Sequence, residues 1–178
     1  MNSSAGLPWV WGDLSGTHPA PAPLGYDGPA AARGIRVDAP APTVWLWLRQ
    51  LQVAPYSYDL LDNWGHRSPR VLTPGLTEIT PGQRVLTIFT VMSVSPGERV
   101  VLEMAKPGAL RLFGALTITY SVTPLPDGGT GLRGDLHLAR SSSRLSALHQ
   151  GALLWGDVPM MRKQLLTLKE CAEADAGR

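Results

Sequence analysis

Few residues in this chain have a type and spacing suited to chemistry. Tyr120 stands in the row Leu116, Ile118, Tyr120, Val122, so a strand that buries this row buries a phenol among aliphatic side chains. Its hydroxyl then needs a partner: a side chain, a water or a bound molecule. Asp59 and Asp62 stand one helical turn apart. That spacing suits a pair of acid/base carboxylates, but solvated helix charges or caps are the commoner use of it. Arg133, Asp135 and His137 share one face of an alternating run. Turned inward, they would make a polar anchor or an acid/base group. The leucines on the alternate face direct them outward instead, as a ladder of solvated charges. Tyr120, Tyr58, Asp59 and Arg133 are the residues to test for a catalytic role, and none is assigned one.

Other signals are negative. Residues 129–134, GTGLRG, spell the glycine pattern of a dinucleotide loop. Such a loop needs a helix directly after it, so that the pyrophosphate meets a helix N-terminus. Here the alternating DLHLAR follows, so the match is discounted. The four histidines are scattered and Cys171 is the single cysteine, which leaves no disulfide framework and no zinc-type spacing. No metal and no cofactor is expected. A net charge of +2 is too weak to imply nucleic acid. No window of 18 residues is apolar throughout, and MNSSAGLPWVWGDL lacks the basic and apolar regions of a signal peptide. The expectation is a cytoplasmic protein without stable membrane insertion.

The elements that must position these residues follow from periodicity. Residues 1–32 are rich in Pro, Ala and Gly and favour extended backbone. Trp9, Trp11 and Tyr26 are more large aromatics than a solvated tail carries, so this extension is expected to lie partly ordered on the surface of a domain spanning 33–175. RGIRVD (33–38) reads as a strand with Ile35 and Val37 on one face. Pro42 opens a helix whose stripe is Val44, Leu48 and Leu51, with Trp45 and Trp47 beside it. Leu46 falls opposite that stripe, which suggests the N-terminal extension as its cover. A second short helix is expected from Tyr58 to about Trp64.

A sheet then follows. One long strand is expected over 84–94, with Leu86, Ile88 and Met92 inward. The strand 99–104 turns Val100, Leu102 and Met104 inward. The run 112–125 does the same with Leu116, Ile118 and Tyr120, and 130–140 with Leu132, Gly134 and Leu136. Short turns join these runs, so the sheet is antiparallel. Residues 139–156 carry no firm pattern. Asp157 is placed as the cap of a C-terminal helix with Pro159 in its first turn and Met161, Leu165 and Leu168 on its stripe. At about 17 residues, that helix would run roughly 25 Å and cross the sheet.

The order of strand, two short helices, antiparallel strands and long closing helix is the helix-grip arrangement. Val44-Trp45, Trp47-Leu48 and Gln50, then Tyr56-Ser57-Tyr58-Asp59 and Leu61-Asp62-Asn63, resemble the SRPBCC (START-like) superfamily, and within it bacterial proteins described as polyketide cyclase-like. Trp11-Gly12 resembles theirs too. The resemblance implies an α+β helix-grip fold, a curved antiparallel sheet wrapped around a long C-terminal helix, with a cavity between them for an apolar ligand. It carries over no catalytic set.

The expected lining is Ile88, Met92, Leu102, Met104, Leu116, Ile118, Tyr120, Leu132, Gly134 and Leu136, facing Met161 and Leu165, with Tyr56 and Tyr58 at the mouth. Gly134 removes a side chain from the inward row, and methionines make adaptable walls. The expected function is binding of a lipid, isoprenoid or polyketide-like molecule. The alternatives are a polyketide cyclase/aromatase-type enzyme and a partner-binding START-like module with a filled core.

Overall fold

The structure, a computed structural model, describes residues 10–26, 29–57, 67–139 and 144–177. Seven strands among these form one sheet in the order β1-β2-β7-β6-β5-β4-β3. They are β1 (Val10–Gly12), β2 (Ala31–Val37), β3 (Arg84–Val85), β4 (Phe89–Ser95), β5 (Arg99–Met104), β6 (Leu116–Pro124) and β7 (Thr130–Leu138). All neighbours are antiparallel except β1 and β2. Helix α1 (Ala41–Arg49) runs into a single 3-10 turn, α2 is Pro107–Phe113, and α3 (Arg144–Ala176) closes the chain. This is the expected α+β helix-grip architecture. The expected helix from Tyr58 to Trp64 lies outside the described residues.

Helix α1 forms as its pattern requires. Pro42 sits in the first turn, where its missing N–H leaves nothing unpaired. Val44, Leu48 and Leu51 are buried, as are Trp45 and Trp47. The Trp47 indole Nε1 donates to Asp175 Oδ2 at 2.8 Å, which fastens α1 to the end of α3. The inner face of the sheet meets α3 through Leu102, Ile118, Leu132 and Leu136 on one side and Met161, Leu165 and Leu168 on the other, all buried. Each such side chain contributes about 1.5–3 kcal/mol by leaving water.

Three expectations are corrected. The C-terminal helix has 33 residues, and Pro159 lies inside it, so Asp157 is an interior residue and not a cap. The strand expected over 84–94 is two strands joined by a turn at 86–88, where Leu86 and Thr87 adopt positive φ of 51° and 66°. Val85, Phe89 and Val91 form the buried face, the one opposite to the face expected, and Met92 is exposed beside a bulge between Val91 and Ser93. The run from 112 begins as the end of helix α2, because Pro107 at the first turn nucleates a helix before Gly114 stops it.

The outer face of the sheet is not a solvated ladder. Arg133, Asp135 and His137 do point away from α3, yet all three are buried, together with Thr117 and Thr119 on β6. Residues 13–26 cross this face. Thr17 Oγ1 accepts from Arg133 Nη1 at 3.4 Å, the Ala20 amide donates to Asp135 Oδ2 at 2.9 Å, and the Tyr26 hydroxyl bonds Glu103 at 3.3 Å. At the start of this path, a Cβ on Gly12 would fall 1.9 Å from the Gly34 carbonyl oxygen, so only glycine lets β1 lie against β2 there. Leu46 lies on α1, away from this face, and is 39% exposed, so the described residues of the extension do not cover it as expected.

Candidate functional site

A cavity of about 290 Å³ opens where the turn at 86–88, the loop at Pro55–Ser57 and the middle of α3 meet over β6. The turn makes the opening. Positive φ at a β-branched threonine is an uncommon, strained conformation. It is held because the Ile88 carbonyl accepts from the amides of both Ala105 (2.9 Å) and Lys106 (3.3 Å) at the approach to α2. Leu86 and Ile88 thus leave the ladder and form one wall. Phe89, Ile118, Met160 and Met161 extend the apolar lining, and exposed Lys106 stands at its rim.

The polar groups gather on the α3 side. Tyr120 Oη donates to Gln164 Oε1 at 2.5 Å, and Gln164 Nε2 donates to the Pro55 carbonyl at 2.6 Å. Asp157 also lines the cavity, and Arg33 Nη2 lies 3.7 Å from its Oδ2. The Arg33 guanidinium is fully buried. It donates to the Ala32 carbonyl at 3.1 Å and to the Leu154 carbonyl at 3.4 Å, beneath the stretch of α3 that Pro159 interrupts. Both Arg33 and Tyr120 sit opposite Gly134 in the sheet register, one on each side of it.

Electrostatics follow from this placement. Burial pushes the Asp157 carboxyl up to about 6, and the Arg33 guanidinium only partly opposes that. Burial, and then the charge of Asp157, pushes the Tyr120 phenol well above its usual range. Asp157 Oδ2 is buried without a hydrogen-bond donor. A carboxyl that titrates near neutrality beside a phenol, inside an apolar cavity, can take or give a proton or anchor a polar group.

The expected site residues divide. Ile88, Ile118, Tyr120 and Met161 line the cavity. Leu102, Met104, Leu116, Leu132, Leu136 and Leu165 are buried in the core without reaching that lining. The space left by Gly134 is filled: a Cβ there would meet the Met161 Cε methyl at 2.4 Å. Met92 lies outside, beside Pro21, Pro23 and Leu24. Tyr56 packs edge-on against Trp47, ring centroids 6.1 Å apart, while its neighbour Ser57 reaches the cavity. Arg133 is on the opposite face of the sheet, paired with Asp135 at 2.8 Å. Tyr58 and Asp59 lie outside the described residues.

Sequence reasoning missed Asp157, Arg33 and Gln164. A signal for the pair was present. Arg33 is in phase with Ile35 and Val37 on its strand, and Asp157 is in phase with Met161 and Leu165 on its helix. Two opposite charges on facing apolar stripes imply one buried pair.

Among the described residues no group of three or more His, Cys, Asp or Glu side chains is placed to hold a metal ion, and no helix is long and apolar enough to cross a membrane. No family model and no curated protein matches the chain. Solved structures do match. A protein from Nitrosospira multiformis superposes with a TM-score of 0.53 at 17% identity, over 83% of this chain and 99% of that one. One from Mesorhizobium loti gives 0.48 at 15% identity, over 80% and 97%. The di-domain ARO/CYC protein StfQ of the steffimycin biosynthetic pathway gives 0.46 at 16% identity, over 83% of this chain and 51% of that one. The match to the Nitrosospira protein shows a shared fold across nearly all of that chain, and the fold of this protein is the helix-grip fold.

Proposed function

We propose that this protein binds a small apolar or amphipathic molecule in the cavity between the turn at 86–88, β6 and α3. The supporting observation is the cavity itself: apolar walls with the Asp157 carboxylate, the Tyr120 phenol and Gln164 gathered on one side. A module that works only through its surface has no use for that arrangement, so the filled-core reading loses ground. At about 290 Å³ the space is at the small end of ligand pockets, which run roughly 300–1,000 Å³. A compact molecule suits it better than a long acyl chain. Burying roughly 200–300 Å² of apolar surface would contribute about 5–7 kcal/mol before the costs of association.

The test is direct. Native mass spectrometry of gently purified protein, followed by organic extraction, should reveal a bound small molecule. Stripped protein should bind the neutral probe phenylnaphthylamine, and Ile118→Trp should abolish that binding by filling the cavity. A ligand-free mass together with no probe binding would refute the reading.

One observation favours an enzyme of the cyclase/aromatase type as a second reading: Asp157, whose carboxyl burial pushes up to about 6, and the Tyr120 phenol both line the cavity. Turnover of an aromatising polyketide-like substrate that survives both Asp157→Asn and Tyr120→Phe would dismiss it.

A further inference from the structure

The polar atoms at the cavity floor are unequally committed. The Tyr120 proton is given to Gln164, and a Gln164 amide proton is given to the Pro55 carbonyl. Arg33 Nη1 donates to the Ala32 carbonyl and Nη2 to the Leu154 carbonyl, Nη2 also faces Asp157, and Nε is buried without a partner. Arg33 itself does not reach the cavity lining, so none of its donors is offered to a ligand. What the floor of the cavity presents on the α3 side is the Asp157 carboxylate: its Oδ2 is buried with no hydrogen-bond donor, while the side chain as a whole is 18% exposed and lines the cavity.

We infer that Asp157 makes this cavity selective for a compact, neutral, hydroxyl-bearing ligand and turns away carboxylates of the same size. The inference rests on the cavity reading above. A hydroxyl can donate to the Asp157 carboxylate that lines the cavity, to which no side-chain or backbone donor is bonded on Oδ2. A carboxylate can only accept, and it sets a second negative charge beside Asp157 in a poorly solvated space. An ammonium is also disfavoured. Arg33 already balances Asp157, so a cation would bring a net charge into an apolar cavity. Lys106 offers a carboxylate little, because it is exposed at the rim and hydrated. The cavity volume limits the ligand to about one or two fused rings.

The experiment compares naphthalene, β-naphthol and β-naphthoate by calorimetric titration of the full chain. At about pH 8 a phenol with a pKa near 10 is neutral and both carboxylates are charged. β-Naphthol should bind about tenfold tighter than naphthalene, as expected for a hydrogen bond to a charged acceptor, and β-naphthoate at least about tenfold weaker. Asp157→Asn leaves Arg33 without its counter-charge, so β-naphthoate should gain affinity and overtake β-naphthol. Should that variant fail to fold, Arg33→Met with Asp157→Leu replaces the pair by apolar residues of similar size, a change that buried pairs tolerate. In that double variant naphthalene should bind as before, and both the gain for naphthol and the penalty for naphthoate should vanish. If naphthalene binds but naphthol binds no better, or naphthoate binds as tightly as naphthol, the selectivity inference is overturned and the cavity reading stands. If none of the three binds, both are overturned.

Discussion

The Ala20 amide donates to Asp135 Oδ2 at 2.9 Å, and this one bond ties a proline-rich segment to the middle of the sheet's outer face. Asp135 is fully buried, and its two oxygens also accept from Arg133 Nε at 2.9 and 3.0 Å. Asp135→Ala therefore does two things: it strands a buried guanidinium and unties residues 13–26. Stranding one member of a buried pair costs about 3–5 kcal/mol. Urea unfolding should show a loss of that size, and limited proteolysis should cut sooner within 13–26. Stability within about 1 kcal/mol of the parent would mean that the pair and the segment are not coupled.

Gly134→Ala should be destabilising, against the general rule. Alanine in a strand interior is ordinarily better than glycine by roughly 0.5–1 kcal/mol. Here the new Cβ meets the Met161 Cε methyl at 2.4 Å. Overpacking of this kind costs about 1–3 kcal/mol, and the flexible thioether keeps it toward the lower end. The displaced methionine can move only into the cavity that it lines, so phenylnaphthylamine affinity should fall as well. Adding Met161→Val should restore part of the stability. An alanine variant as stable as the parent, with undiminished probe binding, would show that Met161 does not occupy the space.

The legible and illegible parts of this chain separate on physical grounds. Where one period held, the sequence could be read: Leu116, Ile118, Tyr120 and Val122 alternate, and all face the core. Local backbone geometry overrode the period at Leu86 and Thr87, whose positive φ no β-branched or leucine residue advertises. That turn splits the run into β3 and β4, whose buried face is Val85, Phe89 and Val91 with Met92 outside, and it opens the cavity. The outer face was misread because burial there comes from the other end of the chain. Nothing in the alternation of residues 130–138 shows that Ala20 and Thr17 will cover it. Asp157 was misread because Asp two residues before Pro is a good helix start, while tertiary packing on Arg33 carried the helix through.

Leu46→Glu should be tolerated although residues 13–26 are ordered. Leu46 is 39% exposed on α1, and the ordered segment lies across the opposite, outer face of the sheet. An exposed leucine replaced by a helix-compatible charge changes stability by less than about 0.5 kcal/mol. Thermal unfolding should be shifted little, and the proteolysis pattern of residues 13–26 should not change. A large loss would mean that something else covers Leu46 in solution.

The last prediction concerns pH. The Asp157 carboxyl is raised to about 6 in the folded protein from an ordinary 3.8, mainly by burial, with the Arg33 guanidinium on β2 opposing and the Tyr120 phenol on β6 staying protonated. A raised acid binds its proton more tightly folded than unfolded. Its favourable contribution is complete below about 3.8 and is lost as pH rises through about 6. The parent should therefore lose stability relative to Asp157→Asn between these values, by an amount on the order of 3 kcal/mol, and the difference should level off above about pH 7. Paired urea titrations across this range measure it, and the difference removes every other carboxylate from the comparison. Carbon-13 shifts of the Asp157 carboxyl should give a midpoint near 6 independently. A flat difference and a midpoint near 4 would show that water or another donor solvates Oδ2. The selectivity against carboxylates would then have no basis in this residue.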